Sequence, residues 1–485
     1  MRTCAVVGAG AAGLAAAARL ASAGCKVTVL EARDRIGGRC AQAELGGHMV
    51  DLGAEFSHGR GRVFTACEQA GLPPPRAVAA HEEDAPPGLR TRFWDGQTLS
   101  DGNGRDHPAL AAMRHVWDEL LCDDEMVEDG DAEDCSFDAL AKARGLDTAT
   151  VGALHAFCAA EYATDMNLLG LKEFRRREHL FEAGVHDCST DYSMEGRYVP
   201  LLASLAERAR ASGAVVRLSS PVRRVEHVSD DRPVLVDGDA YDAVVVTVPV
   251  GALKSDRATL ELIGVSPGLR DAIARAGYHA ASKVIVTLSH APWEVGVRSG
   301  PEREATDQTP DAEQGGNGLR AVGGAGDSSR QAPCGERWAE LLLCADASLA
   351  KQIWIRMSNN ACIATGFCGG PTDAAACAAL TDSEAADELV RQLRRIYGCG
   401  DELRWVQCIK VDWGTDVWAG CGAYSSPAVG ACGVWRELRK TGAKRLLLAG
   451  EAVHPRGSTV CSALESGEWA ADMFLSRLGL ECEAR

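Results

Sequence analysis

The most informative segment for the fold is TCAVVGAGAAGLAAAARLASAGCKVTVLEARDRIGGR, residues 3–39. Its apolar residues Cys4–Val7 predict a short strand, and the small residues after the glycines predict a helix that ends at Gly24. The segment KVTVLE predicts a second strand. Strand, glycine turn, helix and strand in this order form a βαβ unit of the usual size.

The glycine turn of this unit has the spacing of a dinucleotide-binding site. Gly8 permits a tight turn, Gly10 lets the backbone approach a pyrophosphate, and Gly13 lets the helix pack closely on the strand. The helix N-terminus offers the phosphates a partial positive charge. Glu31 ends the second strand, where a carboxylate can bind a ribose 2′-hydroxyl, which argues against NADP.

A second glycine turn helps to choose between NAD and FAD. Gly37 and Gly38 follow the second strand and are themselves followed by Arg39. A second turn at which the backbone can approach a phosphate suits a ligand with an extended pyrophosphate and a ribitol. This pattern favours FAD and, taken alone, leaves NAD open.

Length and composition limit the class of protein. The 485 residues suggest two or three domains, and 46% hydrophobic with 25% charged residues is typical of a soluble globular protein. A net charge of -17 disfavours nucleic acid and anionic membranes as partners. The acidic surface either attracts cationic ligands or serves solubility alone. No apolar stretch reaches the roughly 20 residues that span a membrane.

The 19 cysteines show no spacing typical of a metal site, so no metal is predicted. A strand that begins near residue 3 leaves no room for a signal peptide. We therefore expect reduced thiols and a cytoplasmic location.

The rest of the chain is patterned less evenly. The pattern weakens over residues 76–135, where PPPRAVAAHEEDAPPG (73–88) predicts a loop and the acidic run DDEMVEDGDAED (123–134) predicts a solvated surface loop. Helical patterns resume around 138–182. The segment 296–335 is rich in Gly, Pro, Ser and charge, which predicts a mobile insertion.

Several segments, in order, resemble the flavin-containing amine oxidase family, which includes monoamine oxidases, polyamine and spermine oxidases and lysine-specific histone demethylases. Residues 3–39 resemble its N-terminus. The resemblance continues in VDLGAEFSHG (50–59), SSPVRRVEH (219–227), YDAVVVTVPVGALK (241–254) and LLLAGEAVHPRGSTVCSALESGEWAAD (446–472). Only 76–195 and 296–350 fall outside clear similarity.

The resemblance implies an α/β fold with a discontinuous Rossmann-type FAD-binding domain and an inserted α+β substrate-binding domain. It assigns 1–75 and 196–285 to the FAD domain, 76–195 and 286–404 to the substrate domain, and 405–485 to a returning substrate strand followed by the last FAD part. The FAD is expected to be non-covalent, because Ala423 stands where monoamine oxidases carry the cysteine that tethers the flavin.

The resemblance also implies which residues bind the cofactor. Val222 matches a position whose backbone holds adenine, Trp413 a tryptophan packed near the flavin, and Glu451 the acidic residue of the "GE" turn. Thr459 and Val460 fall where backbone groups approach the flavin ring. The full set is Gly8, Gly10, Ala12, Gly13, Glu31, Ala32, Arg33, Gly38, Arg39, Val222, Trp413, Gly450, Glu451, Thr459 and Val460.

Four residues are catalytic candidates by the same resemblance. Lys283, at the mouth of the buried run Val284–Val286, matches the lysine that reaches flavin N5 through a water, and its charge is expected to be satisfied there. Tyr424 matches one wall of an aromatic cage, and Thr459 stands where monoamine oxidases have a second tyrosine. His58 matches a histidine of animal polyamine oxidases and is expected to bind a substrate nitrogen as neutral imidazole.

The first function hypothesis is an oxidase that cleaves a C–N bond of spermine, spermidine or an acetylated form and releases H2O2. Its expected partners are a cationic amine and O2, with no nucleic acid and no membrane span, and the oligomeric state stays open. The alternatives are a histone-lysine demethylase, a monoamine or L-amino-acid oxidase, and a non-catalytic scaffold of the GDP-dissociation-inhibitor type. Two acidic clusters are expected either to line an entrance for polycations or to lie on solvated surface. They are Asp187, Asp191 and Glu195, and Glu82, Glu83 and Asp84. Ser462, where relatives have glycine, departs from the family pattern.

Overall fold

The computed structural model describes residues 1–80, 90–100, 107–122, 133–182, 190–194, 198–295, 337–358 and 361–477. The predicted insertion 296–335 lies outside these residues, as do the acidic residues Glu82, Glu83, Asp84, Asp187 and Glu195.

The opening βαβ unit forms as predicted. A parallel five-stranded sheet has the order β22-β13-β1-β2-β9 and takes strands from three distant parts of the chain. Its elements are β1 (Thr3–Val7), α1 (Ala11–Ser22), β2 (Lys26–Leu30), β9 (Val215–Arg217), β13 (Ala243–Val246) and β22 (Leu446–Leu448). Gly24 adopts φ +81, the left-handed conformation that ends a helix.

One face of this sheet is covered by α1 and by α13 (Val460–Arg477). The two helices approach closely because their contact residues are small. A Cβ added to Gly467 would lie 2.1 Å from the carbonyl oxygen of Ala12. This close contact fixes the start of α13 relative to the glycine turn that precedes α1.

A second, six-stranded sheet has the order β20-β16-β19-β18-β17-β7 and is antiparallel except for the β7–β17 pair. Its strands are β7 (Arg90–Trp94), β16 (Ala281–Leu288), β17 (Arg337–Cys344), β18 (Gln352–Ser358), β19 (Ala361–Gly369) and β20 (Trp405–Asp412). Every residue of β16 is buried, which confirms the strand predicted from Val284–Val286. Residues 281–288 enter this sheet as one continuous strand, and the predicted domain boundary at 285 falls inside it.

Helices form a third part of the structure. They are α3 (Pro108–Cys122), α4 (Phe137–Arg144), α5 (Thr148–Tyr162) and α6 (Leu171–Glu182). Trp117 packs edge-on against Phe157 and Phe174, with ring centroids 4.3 and 4.5 Å away. The helical prediction for 138–182 is confirmed, and α3 lies where the sequence pattern weakens. The predicted loop at 73–88 is wrong for Arg76–Ala80, which form strand β6.

The remaining elements complete four small sheets and the outer helices. The sheets have the orders β12-β11-β10-β14, β15-β21, β3-β4 and β5-β8-β6. Their strands are β3 (Gln42–Leu45), β4 (His48–Asp51), β5 (Phe56–His58), β6 (Arg76–Ala80), β8 (Thr190–Ser193), β10 (Arg224–Glu226), β11 (Val234–Val236), β12 (Asp239–Tyr241), β14 (Glu261–Ile263), β15 (Gly277–His279) and β21 (Tyr424–Ser426). The helices are α2 (Arg62–Gln69), α7 (Tyr198–Ala211), α8 (Pro267–Arg275), α9 (Pro292–Val295), α10 (Pro371–Ala378), α11 (Asp382–Tyr397) and α12 (Val434–Leu438).

This arrangement confirms the α/β class. Among the described residues, no helix combines the length and the apolar character that crossing a membrane requires. None of the cysteines whose side chains the structure describes forms a disulfide.

Candidate active site

A cavity of about 1210 Å³ takes its lining from both large sheets and from the helical part. It is larger than the roughly 300–1,000 Å³ of a typical ligand pocket, so a dinucleotide and a second ligand fit together. All the predicted cofactor and catalytic residues except Gly13 line this cavity.

The glycine turn has the geometry that its spacing predicts. Gly8 adopts φ +107, and a Cβ there would lie 2.7 Å from Thr247 Oγ1. A Cβ on Gly13 would lie 2.0 Å from the Gly8 carbonyl oxygen, which explains why Gly13 packs against the strand instead of lining the cavity. A Cβ on Gly10 would meet no protein atom within 4 Å, so the backbone there is open to a close ligand.

Glu31 fixes the loop at the end of β2. Its Oε2 accepts from the Ala9 N–H at 2.7 Å, and its Oε1 accepts from the Arg33 N–H at 2.9 Å. Arg33 in turn pairs with Asp416 at 2.6 Å. The carboxylate therefore faces the cavity in one orientation, beside Ala32, Arg33 and Val222.

Arg39, which is partly exposed, and the buried Glu451 form an ion pair between the second glycine turn and the "GE" turn. Arg39 Nη1 donates to Glu451 Oε1 at 2.9 Å and to the Ala423 carbonyl at 2.8 Å. Glu451 Oε2 accepts from Ser425 Oγ at 2.5 Å and from the Ser458 N–H at 3.0 Å. Burial acts to raise the pKa of Glu451, but the charge of Arg39 and these hydrogen bonds outweigh it and hold the pKa below its usual value.

Thr459 caps the start of α13. Its Oγ1 accepts from the Ser462 N–H at 3.0 Å and donates to Ser462 Oγ at 2.9 Å. Ser462 is buried and its hydroxyl faces this cap, so the residue that departs from the family pattern is accommodated within the first helical turn. The helix N-terminus, with Thr459 and Val460, lines the cavity beside Gly450.

Lys283 is buried and lines the cavity, but its partners belong to the protein. Its Nζ donates to the Gly53 carbonyl at 2.7 Å, to Glu55 Oε2 at 2.9 Å and to the Asp51 carbonyl at 3.3 Å. These three acceptors satisfy the charge that the resemblance assigns to water and the flavin. Glu55 is a site residue that sequence reasoning missed, and its only signal is an acid within the apolar segment VDLGAEF.

His58 lies beside a carboxylate that affects its protonation. Its Nδ1 lies 2.7 Å from Asp191 Oδ1, and both residues line the cavity. Burial lowers the pKa of His58, but the charge and hydrogen bond of Asp191 outweigh it and raise the pKa to about 9. The expected neutral imidazole stays a prediction, and the raised pKa together with the contact to Asp191 favours the protonated form instead. Asp191 lines the cavity, which for this residue favours the entrance interpretation over solvated surface.

Tyr424 and Trp413 line the cavity, and each side chain donates a hydrogen bond to a backbone carbonyl. The Tyr424 hydroxyl donates to the Ala160 carbonyl at 3.4 Å, and its ring packs with a cluster that contains Trp354 and Phe367. Trp413 is buried and donates from Nε1 to the Leu52 carbonyl at 3.1 Å. Both contacts favour fixed walls for a planar ligand.

The helical part supplies carboxylates and aromatic rings to the far end of the cavity. Glu161 and Glu178 line it, and the Tyr162 hydroxyl donates to Glu178 Oε1 at 2.5 Å. Trp117, Phe157 and Tyr162 line the same region. Carboxylates among aromatic rings favour a cationic ligand over an anionic one. Within the described residues, no group of three or more His, Cys, Asp or Glu side chains could hold a metal ion.

The sequence of this chain is similar to those of known proteins. The profile of the family described as "Flavin containing amine oxidoreductase" matches residues 11–473. Probable polyamine oxidase 4 of Arabidopsis thaliana is 29% identical over 311 residues, 59% of this chain and 58% of that protein. Lysine-specific histone demethylase 2 of Homo sapiens is 30% identical over 266 residues, 51% of this chain and 30% of that protein. The chain thus spans less than two thirds of the length of these relatives.

A solved structure of putrescine oxidase bound to putrescine shares the fold, with a TM-score of 0.69 at 18% identity over 98% of this chain and 99% of that chain. The family resemblance read from the sequence is confirmed, and with it non-covalent FAD as the cofactor. The glycine turn, open to a ligand at Gly10, fits this group, and the residue before Tyr424 is an alanine, which cannot tether it.

Proposed function

Because the chain belongs to the flavin-containing amine oxidoreductase family, we propose that it is an FAD-dependent amine oxidase acting on spermine, spermidine or an N-acetyl derivative. Bound FAD would supply a hydride acceptor for the carbon beside the amine nitrogen, and O2 would then take the electrons and give H2O2. The polyamine oxidases among the relatives support the substrate class.

We propose that the cofactor domain is of the Rossmann type and is assembled from the three predicted segments around the parallel sheet. The turn at Gly8 and Gly10 would hold the pyrophosphate and Glu31 the ribose. Arg39, Glu451 and the N-terminus of α13 would surround the flavin, with Trp413 and Tyr424 as walls. Lys283 would lie beside N5 as predicted, and the cytoplasmic location stays a prediction.

The observation that carries the proposal is the continuity of the cavity. One space runs from the glycine turn past Lys283 to the region lined by Glu161 and Glu178. A ligand in the far part would meet the group held in the near part, which is the positioning that oxidation at carbon requires.

The charges of the lining residues favour an amine over an amino acid. Each cationic side chain that lines the cavity among the described residues is paired with a carboxylate. The pairs are Arg33–Asp416, Arg39–Glu451, His58–Asp191, Lys283–Glu55 and Arg456–Glu465. An anionic substrate would find no unpaired cation among them.

Release of H2O2 tests the proposal directly. The FAD-loaded protein is assayed with spermine, spermidine, their N-acetyl forms, a monoamine and a methylated histone-lysine peptide. Turnover of a polyamine at a kcat/KM at least tenfold above the monoamine is expected. Turnover confined to the peptide would replace the proposal with the demethylase function, which the 30% identity to the human demethylase favours as the second candidate.

A further inference from the structure

The environment of Glu55 assigns this residue a second task besides pairing with Lys283. A lysine ammonium has three N–H donors, and Lys283 has three protein acceptors in range: Asp51 O, Gly53 O and Glu55 Oε2. Trp354 adds its ring, whose centroid lies 5.0 Å from Nζ. The protein thus offers Lys283 as many acceptors as it has N–H donors.

The two oxygens of Glu55 have different surroundings. Oε2 accepts from Lys283 Nζ at 2.9 Å and from Trp354 Nε1 at 3.1 Å. Oε1 forms no hydrogen bond with any residue in the part of the chain that the structure describes. The side chain is only 6% exposed and lines the cavity. This oxygen therefore faces the cavity, where a donor of a ligand can bind it.

The position of this oxygen is held firmly. The main chain of Glu55 accepts from the Met194 N–H at 3.1 Å, and the neighbouring Ala54 N–H donates to the Arg39 carbonyl at 3.2 Å. The walls around the carboxylate are aromatic: the Phe56 and Trp354 rings lie 5.4 Å apart at 77°, and Trp354 lies 6.2 Å from Phe367. A carboxylate oxygen fixed among aromatic rings is suited to an ammonium or guanidinium group.

We propose that Glu55 is a specificity-determining residue that binds a protonated nitrogen of the ligand through Oε1 while Oε2 compensates the charge of Lys283. Without that compensation the lysine would repel a cation at this point of the cavity. The proposal rests on the proposed function only for the positive charge of the ligand.

Equilibrium binding to the FAD-loaded protein tests this without any turnover. The probes are octylguanidinium, a cation with no amine to oxidise, and 1-octanol, a neutral molecule of similar length, and each is followed by the change in flavin absorbance. Glu55→Gln should raise the Kd of octylguanidinium by about tenfold or more, because a charged hydrogen bond is lost. The Kd of octanol should change less than twofold, and Glu55→Asp should lose less affinity for the cation than Glu55→Gln.

Two controls separate ligand binding from a merely structural role. Glu340→Gln removes a buried carboxylate that pairs with Arg90 at 2.5 Å in the six-stranded sheet and does not line the cavity, so its Kd values should equal those of the wild type. Lys283→Met leaves the charge of Glu55 uncompensated and should tighten octylguanidinium binding several-fold.

The proposal is overturned if Glu55→Gln lowers the unfolding midpoint but leaves the Kd of octylguanidinium within twofold of the wild type. If Glu55→Gln does not hold FAD, an unchanged or weaker Kd in Lys283→Met overturns it instead. Because no probe is oxidised, these results stand even if no polyamine is turned over.

Discussion

Lys283→Met removes one half of a buried ion pair, and we expect it to lower the free energy of unfolding by about 3–5 kcal/mol. The side chains of Lys283 and Glu55 are 5% and 6% exposed, so solvent screens the remaining carboxylate little. The variant also removes the donors to the Gly53 and Asp51 carbonyls. The same variant should keep its flavin but turn over much more slowly, because Lys283 lies in the cavity beside the predicted flavin position.

The double variant Glu55→Gln with Lys283→Met separates the lost charge pair from lost packing. Removing both charges leaves no uncompensated carboxylate, so the double variant should recover at least half of the loss. Urea unfolding of the FAD-loaded proteins at one pH measures the order of stability. A Lys283→Met protein as stable as the wild type would contradict the expected loss. So would a double variant no more stable than the Lys283→Met single variant.

Two further predictions concern the glycine turn and the pair formed by His58 and Asp191. Gly13→Ala should lower the unfolding midpoint even without flavin, because its Cβ would lie 2.0 Å from a backbone oxygen. Gly10→Ala should unfold like the wild type without flavin but raise the Kd of FAD by about tenfold. Equal thermal midpoints of the two apoproteins would contradict this prediction. The pKa of His58 is raised to about 9, so its pair with Asp191 stabilises the fold fully below the unfolded value of about 6.5 and loses this effect as the pH rises through 9. Asp191→Asn should therefore lower the thermal midpoint at about pH 6 and not at about pH 10, and a pH-independent difference would argue against the pair.

Local patterns predicted a large part of the fold. The βαβ unit and the buried strand β16 each depend on residues close together in sequence, such as the glycines of the turn and the run Val284–Val286. The predicted boundary at 285 falls inside β16 because this strand is continuous and pairs with strands that lie far away in sequence, which local patterns do not indicate.

The site was predictable where motif spacing places a residue and not where pairing is long-range. Glu55 and Lys283 are 228 positions apart, and His58 and Asp191 are 133 positions apart. Neither acid has a local pattern that indicates its partner, so the state of His58 and the compensation of Lys283 became visible only in the folded chain. Pairing of this kind sets protonation, which sequence position alone does not determine.

The account depends most on one cavity that holds FAD beside Lys283 and opens toward Glu161. A crystal structure of the purified, yellow holoprotein measures this directly. We predict density for the pyrophosphate at the N-terminus of α1 and for the flavin ring between Lys283 and Thr459, within van der Waals contact of Tyr424. Density for the ring on another surface, with Lys283 more than about 10 Å from it, would contradict the account.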